Sequence, residues 1–176
     1  MMSASTPILQ LDDLRVQFAT RGGMLSAVDG VSLSIAPGET LGLVGESGSG
    51  KSVTARAIMR LVPTPPGVYA GGRILFQGTD LLTLPEDEMQ KLRGGQISMV
   101  FQDPMTFLNP VYTAGEQVAE AIRTHQGASR AEAKAQTIEL FRTVGIPNAE
   151  ARFSAYPHEL SGGLRQRVMI SMALSS

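Results

Sequence analysis

The octet Gly45-Glu46-Ser47-Gly48-Ser49-Gly50-Lys51-Ser52 constrains this chain more than any other stretch. It fits the spacing G-x-x-x-x-G-K-[ST] at every fixed position. Its glycines let the backbone curl through conformations closed to other residues, so that successive N–H groups can face one anion. The segment that follows, Ser52 to Val62, reads as a helix stopped by Pro63. Before the octet stands Leu41-Gly42-Leu43-Val44, apolar on both faces as a strand buried in a parallel sheet would be. Strand, glycine loop and helix thus come in the order that sets an anion at the positive end of a helix. The spelling is that of a phosphate-binding loop. Gly45, Glu46, Ser47, Gly48, Ser49 and Gly50 would wrap the phosphates of ATP, Lys51 would reach the β- and γ-phosphates, and the Ser52 hydroxyl would hold Mg²⁺. The competing reading is a chance glycine–serine turn before a helix, and the order of the flanking elements argues against it.

Composition narrows the class. A chain of 176 residues can bury one core of its own. A formal net charge of -1 gives no reason to expect nucleic acid, whose phosphates call for a clustered basic face. Without cysteine there is neither a disulfide framework nor a thiolate metal site. No apolar run reaches the roughly 20 residues of a membrane-spanning helix, and the opening ten residues lack the pattern of a secretory signal.

Along the chain, Leu9 to Phe18 alternates with Leu14, Val16 and Phe18 on one face, and Val31, Leu33 and Ile35 form a second strand closed at Pro37-Gly38. The pair predicts an antiparallel sheet at the start. Pro63 to Gly72 reads as a loop, Ile74 and Phe76 as strand, Pro85 to Arg93 as a short helix, and Ile97 to Phe101 as another buried strand. From Thr113 the period becomes helical. Val118, Ala121 and Ile122 line one helix. A second starts at Ser129 with capping-box spacing to Glu132, carries the stripe Ile138, Phe141 and Val144, and ends at Gly145 and Pro147. A last helix starts near Ser161. The two histidines, His125 and His158, are too isolated for a metal site, and Met169 and Met172 read as core. The charges from Arg130 to Lys134 read as a solvated helix face.

A second signal is Leu160-Ser161-Gly162-Gly163-Leu164-Arg165-Gln166-Arg167. Taken alone, Ser161 is a helix N-cap and the glycines ease a tight entry; a Ser-Gly-Gly helix start is equally an anion site. The stretch resembles the signature motif of ABC-transporter ATPases. Val100-Phe101-Gln102-Asp103-Pro104-Met105-Thr106-Phe107-Leu108-Asn109-Pro110 resembles their Q-loop, in the form of the dipeptide, oligopeptide and nickel importers. Tyr156-Pro157-His158-Glu159 and Val168 to Leu174 are similar to the same subfamily. Leu164 departs from the glutamine many of these ATPases carry.

The resemblance implies an α/β fold: a P-loop NTPase core with an N-terminal antiparallel β-subdomain and an inserted α-helical subdomain. The core would be incomplete at the C-terminus, with about 1–104 and 157–176 in the α/β part and about 105–156 in the helical part. It implies that Phe18 stacks on adenine, although a strand aromatic reads equally well as core. Gln102 would complete the Mg²⁺ shell, and Ser161, Gly162 and Gly163 would close over ATP held by a second ATPase subunit, in a homo- or heterodimer. Residues from Pro104 to the second helix would touch the membrane permease subunits, and an external solute-binding protein would take part indirectly. The expected place is peripheral, on the cytoplasmic face of the inner membrane. The function implied is ATP binding and hydrolysis that powers uptake of peptides or nickel.

In that family an apolar strand ending in Asp-Glu, then a switch histidine, follows the signature helix. The 176 residues contain neither, so turnover by this chain alone is not expected, and marginal stability is. Two other functions compete: a non-catalytic nucleotide-binding remnant, and a small P-loop kinase using Asp103 at the end of the Ile97–Phe101 strand. The kinase leaves Leu160–Arg167 unexplained.

Overall fold

The computed structural model describes residues 6–101 and 107–175. The elements are β1 (Leu9–Thr20), β2 (Gly23–Ile35), α1 (Lys51–Ile58), β3 (Gly67–Phe76), β4 (Thr79–Asp80), α2 (Glu86–Leu92), α3 (Ala114–Gln126), α4 (Arg130–Thr143), α5 (Ala149–Phe153), a 3₁₀ turn (Pro157–Glu159) and α6 (Gly162–Ala173). They form two compact units, Met1–Met89 and Gln90–Ser176.

In the first unit four antiparallel strands lie in the order β2-β1-β3-β4. Thr20 pairs with Gly23, so Arg21-Gly22 is the whole hairpin loop, and the Thr20 hydroxyl donates to the Gly23 carbonyl at 2.7 Å. The expected antiparallel pair is therefore present and longer than the alternation indicates. Its inner face holds Leu11 as well as Leu14 and Val16, all at most 1% exposed. Simple alternation cannot bury both Leu11 and Leu14. A bulge at Asp12-Asp13, with Asp13 at φ 46, inserts the extra residue that turns both inward. Gly72 faces the bulge: a Cβ there would sit 2.4 Å from the Asp13 carbonyl oxygen. This close approach keeps a glycine inside β3, which begins at Gly67 rather than after Gly72 as the loop-like composition indicates. Val28, Ile74, Phe76, Leu81 and Met89 are buried in the same unit.

Three expected elements differ. Leu41-Gly42-Leu43-Val44 is neither a strand nor buried, with Val44 91% exposed. Ile97 to Phe101 likewise forms only one bridge, Arg93 to Ile97. A strand apolar on both faces is stable only with ladders on either side, and among the described residues no strand pairs with either segment. The helix after the glycine loop ends at Ile58 instead of Val62, because Arg60 takes a left-handed φ of 51.

The second unit is helical. Thr113 caps α3 by accepting the Glu116 amide, and Ser129 with Glu132 forms the reciprocal capping box at the start of α4. Phe141 lies at the centre, fully buried among Val118, Ile122, Ala133, Ile146, Phe153, Val168 and others, with Ile138 and Val144 packed at the margin. Gly115 lets α5 approach α3, since a Cβ there would lie 2.3 Å from the Phe153 ring. Met169 is buried and Met172 packs beside the same cluster, as expected of core methionines. Arg130, Glu132 and Lys134 are exposed.

The capping box carries a pH-dependent prediction. The Ser129 hydroxyl first, and then the hydrogen bond from the Ser129 amide, hold the Glu132 carboxyl below its ordinary 4.5. A depressed folded value stabilises the fold above the unfolded value and is lost as pH falls through the folded one. Ser129→Ala is therefore expected to lower the thermal midpoint at pH 7, and the difference from the parent chain should shrink below pH 4.5. A deficit equally large in acid would contradict the assignment.

Candidate functional site

The glycine loop spans the end of irregular chain and the start of α1. Gly48 and Gly50 adopt φ of 83 and 88, closed to other residues without strain. Gly50 is also the N-cap, and a Cβ on it would strike the Ala27 carbonyl of β2 at 2.2 Å. Gly45 is needed for space, since its Cβ would meet the Ser49 hydroxyl at 2.7 Å. The two fixed glycines are thus required for space, Gly50 also for its φ, and Gly48 for its φ alone.

The cap leaves α1 open. Gly50 offers no side-chain acceptor, and no acidic residue stands in the first turn. The first intrahelical bond is from the Thr54 amide to the Gly50 carbonyl at 2.8 Å, so the amides of Lys51, Ser52 and Val53 precede the ladder. An uncompensated positive helix end results. Lys51 turns back over the loop. Its ammonium donates to the carbonyls of Gly45 (2.7 Å) and Glu46 (2.6 Å) and to the Ser49 hydroxyl (3.1 Å). All three of its N–H donors are used on neutral acceptors, and an anionic oxygen competes well for them because charge-assisted bonds are stronger. Gly45 to Ser49 are exposed, so a ligand can reach them.

Ser52 is exposed, and its hydroxyl has no hydrogen-bond partner among the described residues. It fits as one ligand of a Mg²⁺ that keeps the remainder of its shell as phosphate and water, and a bound Mg²⁺ would neutralise phosphate charge. Among the described residues no group of three or more His, Cys, Asp or Glu could hold a metal. Gln102 lies outside the described residues, as does Asp103, on which the kinase reading depends. Phe18 is half-buried in β1, paired with Leu25 and Gly67 and with its ring against Gly67.

The second glycine turn belongs to the other unit. Ser161 is the N-cap of α6, its hydroxyl accepting the Leu164 amide at 3.4 Å. Gly162 and Gly163 are exposed, and a Cβ on either would meet nothing within 4 Å. Their own chain does not require glycine there. Leu164, the departure from glutamine, packs against the helical core and is anchored by burial. His158 stacks on Tyr156, 5.7 Å between ring centres, in the turn that leads into α6. A pocket of about 340 Å³ opens elsewhere in this unit, lined by Phe107, Tyr112, Gln117, Glu120, His125 and Met172 among others. The exposed apolar residues Phe107, Val111 and Tyr112 lie at or near it. The pocket's lining comes from the segment 107–112, from α3 and, through Met172, from α6, so no local sequence pattern marks it.

Residues 28–176 match the family described as ABC transporter. The chain belongs to that family. It is 52% identical over 171 residues to the oligopeptide transport ATP-binding protein OppD of Bacillus subtilis, covering 97% of this chain and 48% of that protein. It is also 52% identical over 170 residues to the peptidoglycan transport ATP-binding protein YejF of Agrobacterium fabrum, covering 97% of this chain and 31% of the relative. Among solved structures it resembles the dimeric post-hydrolysis state of the ATP-binding cassette MJ0796 bound to ADP and Pi. The TM-score is 0.84 at 28% identity, over 95% of this chain and 69% of that one. The chain spans about half the length of OppD. These likenesses establish the α/β cassette fold and the family anticipated from the three motifs. No helix among the described residues is long and apolar enough to cross a membrane.

Proposed function

We propose that this chain is the ATP-binding part of a subunit that powers an ABC importer, with peptides as the cargo class. The observation that carries the reading is the Lys51 ammonium folded over Gly45 and Glu46 beside the open first turn of α1. On ATP binding, Lys51 exchanges these neutral acceptors for phosphate oxygens, the first-turn amides take further oxygens, and Ser52 contributes a ligand to the Mg²⁺ that comes with the nucleotide. Gln102, which lies outside the described residues, would supply a further ligand to that Mg²⁺, and Phe18 would support the adenine. The relatives named for oligopeptide and putative peptide import favour peptides over nickel.

The second turn acts across a dimer in this reading. Ser161, Gly162 and Gly163 present a helix start with an empty space before it, suited to the ATP of a second ATPase subunit. The pocket beside Phe107 and Tyr112 is the surface for a membrane permease, which would hold the chain peripherally at the cytoplasmic face of the inner membrane. An external solute-binding protein then acts through the permease. ATP favours the closed dimer by binding it better than the open one.

Gly163→Leu separates this role from folding. A Cβ at this position meets nothing within 4 Å, so the fold and the affinity of the Gly45–Ser52 loop for ATP are expected to be retained. Association driven by ATP, followed by sedimentation, should be abolished. Dimerisation equal to that of the parent chain would contradict the role given to the turn.

A further inference from the structure

The stretch that begins with Ser161 extends beyond its glycines, and the function proposed above uses neither Arg165 nor Arg167. Arg167 reaches out of α6. One of its guanidinium nitrogens donates to the carbonyls of Val144 at 2.8 Å and Gly145 at 2.6 Å. Val144 is the C-cap of α4 and Gly145 the residue beyond it. A helix leaves carbonyls unsatisfied there, and the negative end of its dipole favours a cation. Gly145 makes the contact possible in two ways. It takes a φ of +76, and a Cβ on it would lie 2.4 Å from the same Arg167 nitrogen. On the other side of the glycine turn, Arg165 Nε donates to the Leu160 carbonyl at 2.9 Å.

The contact has directional consequences. α6 is held in the core by Val168 and Met169, but apolar burial is non-directional and tolerates small rotations and slides of a helix. The first turn, Ser161 to Gly163, is exposed and its two glycines carry no side chain to pack, so it is held only through Leu160 before it and Leu164 after it, which sit in or against the core. Arg167 stands one turn along from Gly163, and its paired hydrogen bonds have a defined direction and length.

We propose that Arg167 is a positioning residue for the Ser161–Gly163 turn. By clamping α6 to the end of α4, it sets the register and rotation of the first turn. It thereby sets the direction in which the turn's amides meet the nucleotide of a second subunit. The inference rests on the dimer role proposed above for that turn.

The test compares the 176-residue chain with Arg167→Ala, Arg167→Lys and Gly145→Ala. Amide exchange in the nucleotide-free protein reads the turn itself. In Arg167→Ala, exchange at Leu164 and Arg165 should rise while Val168 to Met172 stay protected. Sedimentation with the non-hydrolysable analogue AMP-PNP and Mg²⁺ reads its use. Association should weaken about tenfold, with the affinity of each chain's own loop for AMP-PNP unchanged. Gly145→Ala should act in the same direction, and Arg167→Lys, which keeps the charge at the helix end but not the planar guanidinium geometry, should recover part of the loss. Association of Arg167→Ala equal to the parent, or exchange rising evenly along α6, would overturn the proposal. If the parent chain does not associate with AMP-PNP, the dimer reading has failed; unchanged exchange at Leu164 and Arg165 would then overturn the clamp on its own. Should Arg167→Ala fail to fold, Arg167→Lys carries both measurements.

Discussion

Lys51→Ala is expected to weaken ATP binding about 100-fold, as two charge-assisted hydrogen bonds or one strong one would require, and to leave the thermal midpoint nearly unchanged. The two halves of this expectation come from the same geometry. The Lys51 ammonium now bonds the Gly45 and Glu46 carbonyls and the Ser49 hydroxyl. These groups are exposed, so water replaces the lysine without leaving a buried polar atom unsatisfied. With ATP present, the same ammonium would face phosphate oxygens, where no neutral group can substitute for its charge. Calorimetric titration checks the affinity and a thermal melt the stability. Equal ATP affinity in parent and variant would remove Lys51 from the site, and a collapse of the melt would recast it as a structural staple.

The largest effect on stability is expected from Phe141→Ala, about 3–5 kcal/mol. Phe141 is fully buried at the centre of the helical cluster, between residues of α3, α4, α5 and α6. Its ring cannot be replaced from the surrounding loops, so a cavity remains as well as the lost transfer energy. Total stability of a domain is only about 5–15 kcal/mol, so this single change consumes a large part of it. A urea titration should show a lower midpoint with a similar slope. A midpoint within error of the parent would mean that the helical unit is not packed around this ring.

The parts of the fold that could be read from sequence are those fixed by local chemistry. Ser129 and Glu132 specify their own hydrogen bonds, Ser161 caps the helix that follows it, and Gly48 and Gly50 are recognisable because few other residues accept their φ. The sequence signal failed where the structure depends on distant partners. Leu41 to Val44 and Ile97 to Phe101 have the composition of buried strands, but composition does not supply the neighbouring ladders. The Asp12-Asp13 bulge was hidden for a similar reason: the alternation Leu14, Val16, Phe18 assigns Leu11 to the opposite face, and only the pairing across to Leu33 and Ile74 reveals the extra residue. Gly72 reads as loop because the requirement for it is the backbone of another strand. Helix α5, five residues long, is too short to show a period.

The same distinction holds in the site. The glycine loop was legible residue by residue, since each position answers to the phosphate or to the turn. The clamp of Arg167 on the end of α4 was not, because the arginine and its two carbonyls are 22 and 23 residues apart and no local pattern joins them.

The central claim is that the Gly45–Ser52 loop recognises nucleotide by its phosphates, and the most direct measurement is a calorimetric titration of the parent chain with ATP, ADP and AMP in the presence of Mg²⁺. Recognition by the loop predicts clear binding of ATP and ADP and a steep loss with AMP, which lacks the phosphates that Lys51 and Ser52 would hold. Equal affinity for all three, or no binding of ATP, would contradict it.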